Sequence, residues 1–164
     1  MKKENFFLIF SIIVILLGGG FFLREGKIYI EKKREEEIKK IIDCFSQKDI
    51  KLYLISESNF CQEQKEIFKN YIGYLKIVYC DTKENQEDCF QKKINSFPTW
   101  VVSADNDSVI KNLISCQECR KKSENFVCED LCYTKTEDGK FLKVIGEIKD
   151  LSLAKKIFGC QDKK

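Results

Sequence analysis

The residues best suited to chemistry in this sequence are cysteines, and one of them, Cys61, opens a charged segment behind a short apolar run. An apolar run (Leu52 to Ile55) followed by a polar segment predicts a strand and then a helix. A thiol in the first turn of such a helix is typical of disulfide chemistry, because the helix N-terminus stabilises a thiolate. Where a redox C-x-x-C pair would have its first cysteine, the sequence has Ser58. Whether this segment can act as an enzyme therefore depends on that serine.

A second group of cysteines lies in a polar stretch, residues 105–139, with the spacing C-x2-C-x8-C-x3-C. Placed on two helical turns, each close pair shares one face. Nested disulfides would then join Cys116 to Cys132 and Cys119 to Cys128. The same four thiolates also suit one tetrahedral zinc ion, and Cys116 with Cys119 is itself a C-x-x-C redox candidate. Disulfides are expected outside the cytoplasm and zinc inside it.

The composition excludes some functions and favours others. The chain of 164 residues has 29 basic and 26 acidic residues, well mixed, and no histidine. Histidine-based catalysis and histidine zinc sites are thereby excluded. A nucleic-acid partner is not expected, because a binding surface for it would need clustered basic residues. Nine cysteines indicate an oxidising compartment or a metal site.

A run without charges at residues 6–23 predicts contact with a membrane. At about 1.5 Å per residue, its length just spans a hydrocarbon core of about 30 Å. We expect residues 1–24 to form a single transmembrane helix; a cleaved signal peptide and a buried core helix are the alternatives. Lys2 and Lys3 suit a cytoplasmic amino end, whereas the basic residues at 24–34 count against export. The cysteine content favours a cell-membrane protein whose soluble domain is extracytoplasmic.

The elements that must position the cysteines alternate between helix and strand. Helices are expected at 27–48, 59–72, 85–93 and 151–158, and strands at 49–55, 75–79, 98–102 and 141–145. This order predicts an α/β fold with parallel strands first and an antiparallel pair last. We divide the chain into the anchor at 1–24, a charged helical spacer at 25–36, a domain at 37–104 and 140–164, and a Cys-rich insertion at 105–139.

Two motifs resemble a known family. Residues 61–68 (CQEQKEIF) and 96–100 (SFPTW) are similar to the motifs W-C-P-x-C-Q-x-Q-K-x-x-F and Y-P-T-W. These belong to the thioredoxin-like domain linked to bacterial vitamin K epoxide reductases. The resemblance covers about residues 35–104 and 140–160. It implies a thioredoxin-like sandwich, here interrupted by the Cys-rich insertion.

The resemblance also implies roles for individual residues. In that family the first cysteine of the pair attacks and the second resolves the mixed disulfide, and these positions match Ser58 and Cys61. A serine hydroxyl forms no disulfide, so two-cysteine cycling is excluded here. Pro98 would have a cis peptide bond, and with Phe97 would lie in a groove for an extended substrate segment. Cys80 and Cys89 fall where such domains carry an additional cysteine pair, and would form a structural disulfide.

The sequence thus predicts a membrane-anchored thioredoxin-like protein with a degenerate S-x-x-C site and no cofactor. We expect a binding or accessory module for a protein partner in extracytoplasmic oxidative folding. One alternative is an active thiol-disulfide oxidoreductase that uses Cys61 or the Cys116/Cys119 pair, and another is a cytoplasm-facing zinc protein. Cys44, Cys61 and Cys160 are left as an odd set, so at least one thiol stays free or pairs between chains.

Overall fold

The structure, a computed structural model, describes residues 27–122 and 131–160. The predicted anchor at residues 1–24 lies outside the described residues, as does Cys128. Over the two described ranges, no helix is both long and apolar enough to cross a bilayer. The chain divides into two compact units between Glu37 and Ile38.

Residues 27–37 of the first unit are helical, and in the second unit helix α1 covers residues 38–47. The described part of the first unit, residues 27–37, is exposed at every position and includes the apolar sequence Ile28-Tyr29-Ile30. In the second unit, residues 38–47 bury an apolar stripe at helical spacing. Its members are Ile38, Ile41, Ile42 and Phe45.

The second unit contains a six-stranded sheet in the order β2-β1-β3-β6-β5-β4. The strands are β1 (Lys51–Leu54), β2 (Lys76–Tyr79), β3 (Thr99–Ser103), β4 (Ile114–Ser115), β5 (Cys132–Lys135) and β6 (Phe141–Ile145). β1 and β2 are parallel, and β3 is antiparallel to both β1 and β6. The prediction of an α/β fold with parallel strands first and an antiparallel pair later is confirmed.

The remaining helices of the second unit are short. They are α2 (Asn59–Glu66), α3 (Gln86–Gln91), α4 (Asp107–Asn112), α5 (Cys116–Lys122) and α6 (Leu151–Phe158). The prediction of a single helix at 59–72 is wrong, since α2 ends at Glu66 and a 3-10 helix, Lys69–Tyr74, follows it. The break has a local cause: the Phe68 N–H bonds the Lys65 carbonyl, which tightens the last turn, and Lys69 has a φ of +47°.

Part of the predicted insertion at 105–139 extends the sheet. β5 pairs antiparallel with β6, and β4 pairs parallel with β5. A tight turn joins β5 to β6, in which the Thr136 hydroxyl bonds Asp138 and Gly139 has a φ of +70°. β4 has only two residues, so no apolar alternation could predict it.

The two faces of the sheet bury clusters of different size: one large and one small. On what we call the first face, Leu52 and Trp100 belong to the main core, which α1, α2, α4 and α6 cover. An aromatic cluster lies at its centre, with the ring centroids of Phe45 and Trp100 5.4 Å apart. On the second face, Tyr53 and Val101 are buried together with Cys89 of α3.

Candidate functional site

Ser58 is the N-cap of α2. Its backbone is extended, and its Oγ accepts a hydrogen bond from the Cys61 N–H at 3.4 Å. The first turn of a helix has N–H groups without intrahelical partners, and a serine at this position satisfies one of them. Ser58, which takes the place of the attacking cysteine in the S-x-x-C segment, therefore has a structural role. A serine directly before a helical segment was the sequence signal for it.

Cys61 is buried in the first-face core with 0% of its surface exposed. Among the described residues it is the free cysteine. Phe60, the residue before it, is 62% exposed. The first turn of α2 thus directs the thiol into the core and an aromatic ring into solvent, and buried thiols in apolar surroundings are inert.

Gln64 is a buried residue whose role the sequence did not reveal. Its Oε1 accepts from the Ile148 N–H at 2.8 Å and from Trp100 Nε1 at 3.4 Å, and its Nε2 donates to the Ile148 carbonyl at 3.2 Å. One amide therefore joins α2 to β3 and to the loop before α6. Gln64 is three residues after Cys61 and shares its helix face, which was the only local signal of its burial.

An apolar groove begins beside this segment. It encloses about 560 Å³. Its lining consists of Phe60, Phe97, Pro98, Leu113, Leu131, Gly146, Glu147, Lys149 and Leu153. Both residues predicted for a substrate groove, Phe97 and Pro98, line it, whereas Ser58 and Cys61 do not. This volume lies within the range of small-molecule and cofactor sites, about 300–1,000 Å³.

The backbone around Pro98 closes one wall of the groove. The Phe97–Pro98 peptide bond is cis, and the Pro98 carbonyl accepts from the Gly146 N–H at 3.2 Å. Gly146 has a φ of +111°, and a Cβ added there would lie 3.3 Å from Leu131 Cδ2. A glycine is therefore needed where these two loops meet. Within the described ranges, the amide and carbonyl of Phe97 have no hydrogen-bond partner.

Three disulfides join described cysteines. Cys80–Cys89 and Cys116–Cys132 are pairs that the sequence predicted, and Cys44–Cys160 is one that it left open. Cys119 is also disulfide-bonded, and its predicted partner, Cys128, lies outside the described residues.

This pairing affects both alternatives for the insertion. Cys116 is bonded to Cys132 and not to its C-x-x-C neighbour Cys119. Zinc is held by thiolates, and a sulfur in a disulfide carries no such charge. Over residues 27–122 and 131–160, no three or more His, Cys, Asp or Glu side chains are grouped so that they could hold a metal ion.

Ionisable groups on the second face serve to attach α3 to the sheet. The Tyr53 hydroxyl donates to Asp88 Oδ2 at 2.6 Å. Burial, and then this bond, raise the pKa of Tyr53. Burial alone would raise the pKa of Asp88, but hydrogen bonds from Lys92 and Tyr53 outweigh it and lower that pKa. Lys143 donates to the carbonyls of Lys92 and Lys93, and burial lowers its pKa.

Comparison of the chain with family models, with curated proteins and with solved structures gave no significant match.

Proposed function

We propose that the chain is a membrane-anchored, thioredoxin-like protein whose apolar groove binds an extended segment of a partner protein. It would serve as an accessory module in extracytoplasmic thiol and disulfide metabolism. One observation carries this proposal: the groove and the free thiol are separated. Phe60 lines the groove and is 62% exposed, whereas Cys61 is 0% exposed in the core. Binding at the groove is therefore possible without chemistry at the thiol.

The thioredoxin-like part of the proposal is supported by topology. The strand order β2-β1-β3-β6 combines one parallel pair with two antiparallel pairs. α2 follows β1, and Pro98 directly precedes β3, as the resemblance implies. The three disulfides support an oxidising compartment. The apolar run at residues 6–23 supports the membrane anchor.

The chemistry of the groove favours an extended peptide with an apolar side chain. Most of the lining is apolar, and Glu147 and Lys149 supply one charge of each sign. The unpaired backbone of Phe97 offers one donor and one acceptor to a neighbouring chain. Extended peptides bind in this way, with main-chain hydrogen bonds for affinity and pockets for alternate side chains.

Fluorescence anisotropy with a panel of labelled peptides of about eight residues tests this binding. The peptides would carry leucine or phenylalanine at alternate positions, and the full chain would be held in uncharged detergent. We expect Phe60→Ser to weaken binding about tenfold, because it removes an aromatic contact. Phe90→Ser is the matched control, since Phe90 is 80% exposed and does not line the groove. Equal affinities for the two variants would contradict the proposed groove.

An insulin-reduction assay separates the binding module from an oxidoreductase. We expect no turnover by the parent chain, because Ser58 replaces the attacking thiol and Cys61 is buried. Turnover that disappears in Cys61→Ser, or in Cys116→Ser, would establish the enzyme instead. Activity gained by Ser58→Cys would support a scaffold that lacks only its nucleophile. Zinc bound by the fully reduced native chain would favour the metal-binding alternative.

A further inference from the structure

A second cavity lies beside β5 and β6 and shares no lining residue with the groove. It encloses about 430 Å³. Its lining consists of Asn95, Cys116, Gln117, Arg120, Lys121, Thr134, Lys143 and Ile145. Three of these side chains are cationic and none is a carboxylate.

A disulfide and a helix build this cavity. α5 begins at Cys116, directly after β4, and the bond to Cys132 fixes its first residue to the start of β5. The lining residues of α5 follow at i, i+1, i+4 and i+5, which is one side of a helix. The disulfide therefore holds Arg120 and Lys121 beside the strands that supply Thr134 and Lys143.

Among the residues that the structure describes, no carboxylate is paired with a cation of this cavity. Within the described part of the chain, Arg120 and Lys121 form no ion pair. Two of the three protons of the Lys143 ammonium are used by main-chain carbonyls, at 3.2 and 3.1 Å, so one remains available. Glu137, the acidic group that acts on Lys143, is paired with Lys93. Clustered cations in a concave site attract anions.

We propose that this cavity binds a small soluble polyanion that carries at least two phosphate or carboxylate groups. The planar guanidinium of Arg120 can donate two parallel hydrogen bonds to one such group. Lys121 and the available N–H of Lys143 provide charge for a second group. The amides of Asn95 and Gln117 and the hydroxyl of Thr134 are hydrogen-bonding partners for a neutral part of the ligand. This proposal does not depend on the peptide groove, because the two linings share no residue.

Isothermal titration calorimetry on the full chain in uncharged detergent, with its disulfides intact, tests the proposal. Pyrophosphate and citrate are the two probes, and they distinguish a phosphate ligand from a carboxylate ligand. We expect saturable binding of at least one probe, weakened about tenfold or more by Arg120→Ala with Lys121→Ala, since charge-assisted hydrogen bonds are lost. Both residues are exposed, so this variant should fold as the parent does.

The matched control is Lys83→Ala with Lys111→Ala. It removes the same net charge from exposed residues that do not line the cavity, and should leave the affinity unchanged. Equal weakening by both double variants would overturn the proposal, because binding would then follow net charge alone. If neither pyrophosphate nor citrate binds, the proposal of a small-polyanion site is overturned. The same holds if only anionic vesicles or an acidic peptide bind through Arg120 and Lys121. Cys116→Ser with Cys132→Ser should also weaken binding of the probe, because it removes the bond that holds α5 beside β5.

Discussion

Helices α2 and α5 start from similar sequence and use it in different ways. Each follows a strand, each has a cysteine in its first turn, and each begins beside a serine whose Oγ accepts a backbone N–H three residues later. In α2 the cysteine is free and buried, whereas in α5 it is bonded to β5. A thiol at a helix N-terminus is therefore not a reactive site by position alone. Its burial and its partner decide what it does.

The two helices are also held in place by different interactions. α2 buries Cys61 and Gln64 in the first-face core, and the Gln64 amide links it to two other elements. α5 buries only Cys116, and the rest of its length is at least partly exposed. α2 should therefore depend on its core contacts and hydrogen bonds, and α5 on the disulfides of Cys116 and Cys119.

Gln64→Leu should have the largest effect on this comparison. The substitution keeps the approximate size of the side chain but leaves the Ile148 N–H and carbonyl and the Trp100 N–H buried without partners. At about 1–3 kcal/mol for each unsatisfied group, we expect the free energy of unfolding to fall by about 4 kcal/mol. Urea unfolding followed by tryptophan fluorescence measures it.

Gln62→Leu is the control for that experiment. Gln62 is exposed and makes one side-chain bond, from Nε2 to the Ser56 carbonyl at 3.0 Å. Its loss should change the free energy of unfolding by less than about 1 kcal/mol. Similar losses in the two variants would mean that α2 is not fixed by its buried amide.

Removal of the Cys116–Cys132 bond should affect α5 and spare α2. For a sequence separation of 16 residues, the chain-entropy model gives a loss of about 3 kcal/mol. In Cys116→Ser with Cys132→Ser we expect amide hydrogen exchange, relative to the parent chain, to accelerate more in α5 than in α2, because α5 has little other burial. Cys80→Ser with Cys89→Ser is the control, and it should leave exchange in α5 unchanged. Uniform acceleration across both helices in the first variant would contradict the comparison.

The sequence predicted local features of this molecule better than distant ones. Two features, the apolar stripe ending at Phe45 and strand β1, each depend on residues close in the chain. The Cys80–Cys89 pair is also short-range, and the resemblance implied it. Cys44 and Cys160 are 116 residues apart, and no spacing rule could join them. Gln64 likewise meets Trp100 and Ile148 through contacts 36 and 84 residues apart. Such contacts depend on how the elements pack, which a single sequence does not encode as a local pattern.

The candidate site shows the same division. The resemblance implied a groove at Phe97 and Pro98, and both residues line one. It did not indicate that Leu131 also lines the groove, or that Gly146 must lack a Cβ beside it. The cationic cavity was missed because its members come from four separate segments, and only α5, which ends in Arg120, Lys121 and Lys122, is basic by itself.

Cys61 should resist thiol reagents as long as the protein is folded. A maleimide added to the native chain should not label Cys61, and should label it once denaturant unfolds the domain, because the thiol has 0% exposure. Cys61→Ala should cost about 1 kcal/mol, as for a small deletion in a packed core. Labelling of Cys61 in native conditions at the rate of a free peptide would restore it as a redox candidate. Mass spectrometry of the labelled peptide makes the assignment.

The smallest effect concerns Ser58, and it separates two explanations of that residue. If Ser58 is only a lost nucleophile, Ser58→Cys should be neutral for stability. If Ser58 is an N-cap whose Oγ accepts a hydrogen bond from the Cys61 N–H, substitution by cysteine or alanine should lower the free energy of unfolding by about 1 kcal/mol. Sulfur is a weak acceptor, and alanine has no acceptor. Ser58→Asp should retain the stability, since aspartate is an equally good N-cap and its charge suits the helix dipole. Ser115→Ala removes the corresponding bond to the Glu118 N–H, and should loosen α5 locally with little effect on global unfolding.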